Sequence, residues 1–306
     1  MGPTTFRGYE TLTCKARVKA VLREKDADLI ILDETPFYGE AGGQGGDTGW
    51  IIVSGMKVEV IDTRKHEESL IIHVCRDSKK LLEVGNPVEA VVDAEKRRRI
   101  RRGHTATHLL HAALRRVLGE HVTQAGSLVL PNRLRLDFSH GAALTPEEII
   151  RVEDLVNQAI WDGRPVQTTV TTQAEARKLG ALAFFGDKYG DQVRVVSVGS
   201  LAPERGEGGG EGKPFSVEFC GGTHCASTWE IGVFRILSES SIAAGVRRIE
   251  AVTAEDALAA VRDREGWLFR AAATLNTTPA DLHKRIDAMI HERKQMERIL
   301  EKHQSA

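Results

Sequence analysis

The 306 residues are enough for two domains, each with a core of its own. A hydrophobic share of 41% with 28% charged residues excludes a disordered or fibrous chain, and a net charge of -1 excludes a generally basic nucleic-acid coat. No apolar run reaches membrane-spanning length, the polar residues 1–5 are no signal peptide, and four cysteines make no disulfide framework, so a reducing, cytoplasmic setting is expected.

Residues 14–22 alternate in polarity and residues 29–32 form a short apolar run, both predicting strands. The window 36–49 follows, with six glycines that forbid a regular element. It permits close backbone approach to a ligand or a string of tight turns, and it lacks the Gly-Lys-Ser/Thr of a phosphate-binding loop. Further strands are predicted at 50–53, 56–62, 69–75 and 88–93, which suggests a small barrel or sandwich over residues 1–95.

Residues 94–118 predict a helix, with Ile100, Leu110, Leu114, Val117 and Leu118 on one stripe and Gly119 ending it. His104 and His108 stand four apart on it, so one face carries both imidazoles. His111 falls on the border of the stripe and reads as a packing or supporting residue. Far downstream, Cys220-Gly221-Gly222-Thr223-His224 places a thiol and an imidazole around two glycines that allow a tight reversal. Three nitrogens and one sulfur, from His104, His108, His224 and Cys220, suit zinc. Either pair alone reads more readily as ordinary residues, and Thr105 stands where a zinc protease of the HExxH kind needs glutamate.

The helix opens on a basic run, six cations in the seven positions 96–102, that ends two residues before His104. A charge run by itself reads as a solvated face. Beside a hydrolytic centre, Arg97, Arg98 and Arg101 suit a polyanion such as an RNA end.

Strands are predicted at 122–130 and 134–138, and a helix from the Thr145-Pro146-Glu147-Glu148 cap to about Trp161. A strand at 166–172, a short helix at 173–179 and a strand at 192–198 come next. The polar low-complexity residues 202–214 predict a mobile loop without a core. Strands at 215–219, 231–238 and 246–252 complete a second domain over 96–253. The remaining 254–306 read as helical, the last helix starting at Thr278-Pro279-Ala280-Asp281. Leu282, Ile286, Met289, Met296 and Leu300 repeat at heptad-like spacing there, interrupted by Arg293, which suits either self-association or packing within the domain.

Several of these stretches together resemble the alanyl-tRNA synthetase family from its editing region onward, and the free-standing AlaX proteins share the core. They are Phe6-Arg7-Gly8-Tyr9-Glu10, Thr35-Pro36-Phe37-Tyr38 with the Gly-rich loop at 42–49, and residues 101–111. The resemblance continues through 121–127, 136–140, Cys220-Gly221-Gly222-Thr223-His224 and 244–252.

The resemblance implies an α+β chain: a small β-barrel, an α/β editing domain of the threonyl/alanyl second-additional-domain type, and a C-terminal helical extension. It implies zinc on His104, His108, Cys220 and His224, places Gln124 in the editing pocket, and makes His104, His108, Gln124 and Cys220 the expected catalytic residues. Gly42, Gly43, Gln44 and Asp47 of the glycine-rich loop would line the same pocket and sense the amino acid. The implied reaction is hydrolysis of the ester that joins serine or glycine to the 3′ end of alanine tRNA, whose acceptor stem is the expected partner. ATP binding and ligation belong to modules that the resemblance does not cover. The chain is therefore expected to be an excised editing region, and less readily a free-standing editor. A non-catalytic module with structural zinc, or an editor of the threonyl type, are the competing expectations.

Overall fold

Alternation of apolar residues curls six strands into a closed barrel. After β1 (Thr5–Phe6) come β2 (Thr13–Arg23), β3 (Asp28–Leu32), β4 (Glu34–Thr35), β5 (Gly49–Val53), β6 (Met56–His66), β7 (Leu70–Cys75) and β8 (Pro87–Val92). The barrel order is β2-β3-β7-β6-β5-β8, all pairs antiparallel, while β1 and β4 form a small parallel pair outside it. Every second residue points inward, so Val18, Ile30, Leu32, Ile51, Val60 and Ala90 fill the interior. These coordinates are a computed structural model, which describes residues 2–25, 27–66, 70–76, 81–183, 190–199 and 214–304.

A buried histidine sits in this barrel. His73 is fully covered; its Nδ1 must donate to the Ile30 carbonyl (3.0 Å), so its Nε2 accepts the Thr35 hydroxyl (2.7 Å). Burial holds its pKa down to about 4 from 6.5. The unfolded chain therefore binds a proton that the folded chain refuses, and stability falls as pH drops from about 6.5 towards 4. The loss expected over that window is on the order of 3 kcal/mol. Urea melts at several pH values check it: His73→Gln should flatten the dependence in that window, and an unchanged slope would refute the assignment.

A long helix, α1 (Ala94–Leu118), leaves the barrel. Asp93 caps it, its carboxylate accepting from the amides of Glu95 (3.1 Å) and Lys96 (3.0 Å). Next come β9 (Gln124–Leu130), β10 (Arg133–Ser139) and α2 (Pro146–Trp161), the latter opened by the Thr145–Glu148 capping box. Then follow β11 (Val166–Thr172), α3 (Gln173–Lys178), β12 (Gln192–Val198), β13 (Ser216–Phe219), β14 (Phe234–Ala243) and β15 (Val246–Thr253). One sheet runs β14-β15-β10-β9 and a second β11-β12-β13. Leu109, Leu110, Leu114, Val152, Val156, Leu136 and Phe138 form the core where α1 and α2 cover the larger sheet.

Several strand boundaries differ from the sequence expectation; β6, expected at 56–62, runs to His66. The strand expected from 122 starts at Gln124. The strand expected at 231–238 is a 3-10 turn, Thr228–Ile231, then β14, because Gly232 adopts φ 80° between them. Residues 202–213 of the expected loop lie outside the described residues.

The described chain divides into two compact units, residues 1–254 and 255–306. The barrel and the mixed domain thus share the first unit. In the second, after α4 (Ala254–Thr274), Thr278 caps a 3-10 turn, Pro279–Asp281, that runs into α5 (Leu282–Gln304). Its seam residues Ile286, Met289, Met296 and Leu300 are exposed in this chain, and Arg293 pairs with Glu297. Among the described residues no helix is long and apolar enough to cross a membrane.

Candidate metal centre and its cavity

The glycine-rich loop joins barrel to helix. Gly43 takes φ 80°, and a methyl there would lie 2.3 Å from Ser127 Oγ, so only bare backbone can dock on β9. The docking bonds are Val129 N to Gly43 O (2.7 Å) and Gly45 N to Val129 O (3.0 Å). From there the loop sends Asp47 back to α1. Arg97 and Asp47, each 1% exposed at the side chain, form a buried ion pair. Arg97 Nη1 and Nη2 also donate to the carbonyls of Gly8 and Pro36, both at 2.8 Å.

One turn further along α1 than Ile100, His104 and His108 stack 5.4 Å apart, centroid to centroid. β13 delivers Cys220, whose Sγ lies 3.4 Å from His104 Nε2 and 3.2 Å from His224 Nε2. One donor atom each from His104, His108, Cys220 and His224 all lie within 4.8 Å of one another.

The outer nitrogens of the imidazoles are all held. Gln44 is fully buried, and its Oε1 accepts from Thr223 N (2.8 Å), which fixes that atom as the oxygen. The same oxygen, 2.8 Å from His104 Nδ1, must then accept the His104 proton, leaving the Nε2 lone pair free. Glu218 accepts from His108 Nδ1 through one oxygen and from His111 Nδ1 through the other (2.8 Å). His224 Nδ1 lies 3.3 Å from Thr105 Oγ1. Partners of this kind fix the tautomer and aim of metal-bound histidines.

Electrostatics matches that division at Cys220 and His224 and departs from it at His108. Burial opposes charge on Cys220, yet the imidazoles of His104, His224 and His108 hold the thiol well below its ordinary range. Burial and the neighbouring His104 push His224 down to about 3. Burial would raise Glu218, but His108 and His111 hold it at about 2. Burial likewise opposes charge on His108, and Glu218 with Cys220 outweighs it, raising the group to about 10. An ionised sulfur and a neutral imidazole are the forms a metal takes, so Cys220 and His224 already match it, whereas His108 gives up its Nε2 proton when a cation binds.

The fit to a tetrahedral ion can be tested on two observations. With Zn–S of about 2.3 Å and Zn–N of about 2.0–2.1 Å, the S···N edge of a tetrahedron is about 3.6 Å, against 3.2 and 3.4 Å here. His108 Nε2 is buried with no hydrogen-bond partner, a cost that a cation would remove. The donor set fits zinc. Gly222 keeps the room for it: a methyl there would sit 2.0 Å from His104 Cε1.

The cluster opens on a cavity of about 750 Å³, within the range of small-ligand sites. His104, His108 and Cys220 line it together with Gly42, Gly43 and Gln124. Of the residues expected in a substrate pocket, then, Gly42, Gly43 and Gln124 reach the cavity. Gln44 instead orients His104, and Asp47 is consumed by Arg97. The expected RNA cations also separate: Arg97 is buried where no phosphate reaches it, Arg98 is exposed and paired with Glu95 (2.6 Å), and Arg101 is half-buried with its Nε unpartnered. Sequence reasoning missed Glu218, Thr105, Arg194 and Tyr9. The one available signal was Glu218 itself, an acid between Val217 and Phe219 in the strand predicted at 215–219.

Glu218→Gln should lower zinc affinity 10- to 100-fold, the usual range for such supporting partners. An amide oxygen can accept from one imidazole only, and its NH2 would meet the other Nδ1–H. Competition against a chromophoric chelator reads the change, and a wild-type constant would rule out the orienting role.

Comparison with known proteins finds relatives over nearly the whole chain. Residues 2–96 match the family described as tRNA synthetases class II (A), and residues 193–250 match the threonyl and alanyl tRNA synthetase second additional domain. An alanine–tRNA ligase of Mesorhizobium japonicum is 43% identical over 308 residues, covering 98% of this chain and 34% of the relative. One of Rhizobium meliloti is 44% identical with the same coverage. The chain thus spans about a third of the length of these relatives.

Proposed function

The chain belongs to the alanyl-tRNA synthetase family, and from that premise we propose that its cavity is a hydrolytic editing site for mischarged alanine tRNA. The observation that carries the reading is a four-donor cluster, three of whose residues line a cavity sized for an aminoacyl ester. An alanine pocket cannot strongly reject a side chain that merely adds a hydroxyl, so a second, hydrolytic sieve is what the chemistry calls for.

His104, His108, Cys220 and His224 would hold zinc. When bound, the ion supplies a Lewis acid at the cavity wall, able to polarise an ester carbonyl or acidify water. Four protein donors fill a tetrahedron, which is the usual mark of a structural ion. Here, however, three of the four donors face the cavity. Gln44 keeps the His104 proton on Nδ1, and Glu218 does the same for His108. Gln124, half-buried at the start of β9 with its amide 3.3 Å from Ser127 Oγ, presents a neutral polar group to the bound amino acid. The exposed part of the basic run, Arg98 above all, suits the phosphates of the RNA end.

The zinc-loaded chain should release serine and glycine from alanine tRNA and spare alanine. Deacylation of the three charged tRNAs, with serine on threonine tRNA as the fourth substrate, tests this. Hydrolysis no faster than the spontaneous rate, with zinc bound, would leave a structural-zinc module. Preference for the threonine tRNA would make the site an editor of the threonyl type.

A further inference from the structure

The loop that carries Cys220 has little to hold it in place by packing. A methyl built on Gly221 would meet nothing within 4 Å, and two adjacent glycines lose more conformational freedom on ordering than any other pair. Yet this loop must aim the sulfur at His104 Nε2 and lay Gly222 against the His104 ring.

Three side-chain bonds do that, one to each consecutive carbonyl. Arg194, on β12, donates from Nη1 to Cys220 O (2.9 Å) and to Gly222 O (2.8 Å). Tyr9, ahead of the barrel, donates its hydroxyl to the carbonyl between them, Gly221 O, at 2.5 Å. The two clamping groups also hold each other, since the Arg194 guanidinium carbon lies 4.2 Å from the centroid of the Tyr9 ring. Thr168 Oγ1 takes Nη2 (3.1 Å), and Phe6 packs edge-on to Tyr9 at 4.9 Å, so neither group swings freely. Arg194 O in turn accepts from Cys220 N (2.9 Å), tying the root of the loop to the same strand.

We infer that Arg194 and Tyr9 are positioning residues that pre-set the Cys220–His224 loop for the metal. They are not ligands, and reach the metal site through the backbone of 220–222. The inference rests on the reading of the cluster as a metal site and goes beyond it, since neither residue belongs to the donor set.

The planar fork of Arg194 decides the test. Lysine keeps the charge but cannot span two carbonyls while stacking on a ring. Arg194→Lys should therefore lower zinc affinity 10- to 100-fold, the range for partners that orient a ligand. Tyr9→Phe keeps the ring and removes a single donor; its loss should be smaller, about 10-fold, at the low end of that range. Because Tyr9 is 44% exposed, that variant should fold normally.

Two readouts are needed beside affinity: the thiolate-to-metal absorption of the cobalt-substituted protein, and melting of the metal-free chain. The expected result is a weakened or shifted cobalt band in both variants with metal-free melting unchanged. Wild-type affinity and cobalt spectra in both variants would overturn the inference. Weakened binding that merely tracked lower metal-free melting would overturn it too, reducing the pair to structural contacts. A wild-type chain that took up neither zinc nor cobalt would instead overturn the metal-site reading, and this inference with it.

Discussion

Cys220→Ala should cost more than 100-fold in zinc affinity and bring deacylation of serine-charged alanine tRNA down to the spontaneous rate. The lower bound follows from comparison with a supporting partner, whose loss alone costs 10- to 100-fold. Cys220 supplies the only sulfur in the cluster and its only anionic donor. Without it three imidazoles remain, and His104 already disfavours charge on His224. His104→Ala should match it, because the cavity wall and the Gln44 bond both depend on that ring. Cys14→Ser is the control, a half-buried thiol in β2 far along the chain from the cluster. Zinc content after dialysis and hydrolysis of the charged tRNA are measured on the same samples. A double variant of Cys220 and His104 that lost zinc yet kept full hydrolysis would end the catalytic role of the site.

How much of this was legible in the sequence depends on how local each relation is. The His104–His108 spacing is a property of one helix, and the Cys220–His224 spacing of one turn, so both pairs could be read directly. Strand alternation likewise exposed the barrel, though not whether it would close. What could not be read were relations made by register and docking. Tyr9 meets Gly221 across 212 residues, and Gln44 meets Thr223 across 179. No spacing rule reaches that far. The basic run is instructive in a different way. At about 100° per residue, six cations in seven positions must point around the whole helix. At least one had to face inward and find a partner, and Arg97 is that one. Asp47, read as part of a ligand loop, is its counter-ion for the same reason.

That pair supports the second large effect. Arg97→Ala or Asp47→Asn should destabilise the fold by about 3–5 kcal/mol, the cost of stranding one member of a buried ion pair. Removing Arg97 leaves the Asp47 carboxylate with the Tyr38 amide as its remaining donor (2.6 Å), and leaves the Gly8 and Pro36 carbonyls without the guanidinium. Removing the charge of Asp47 leaves a guanidinium buried among carbonyls. For a domain of this size, about 3–5 kcal/mol corresponds to a melting shift of roughly 6–20 °C. Replacing both residues together by apolar side chains of similar volume should recover part of the loss, since it is the unpaired charge that is expensive. The same substitutions reach the metal site, because Asp47 anchors the loop whose Gln44 fixes the His104 tautomer. Zinc affinity in the single variants should therefore fall even below the melting transition, and in the double variant it should stay low while stability returns. Denaturant melts of the two singles and the double, each with a chelator titration, separate the two consequences. Single variants that lost less than about 1 kcal/mol, a value typical of exposed pairs, would show that water reaches this pair and that the loop is held by its backbone bonds to β9 alone.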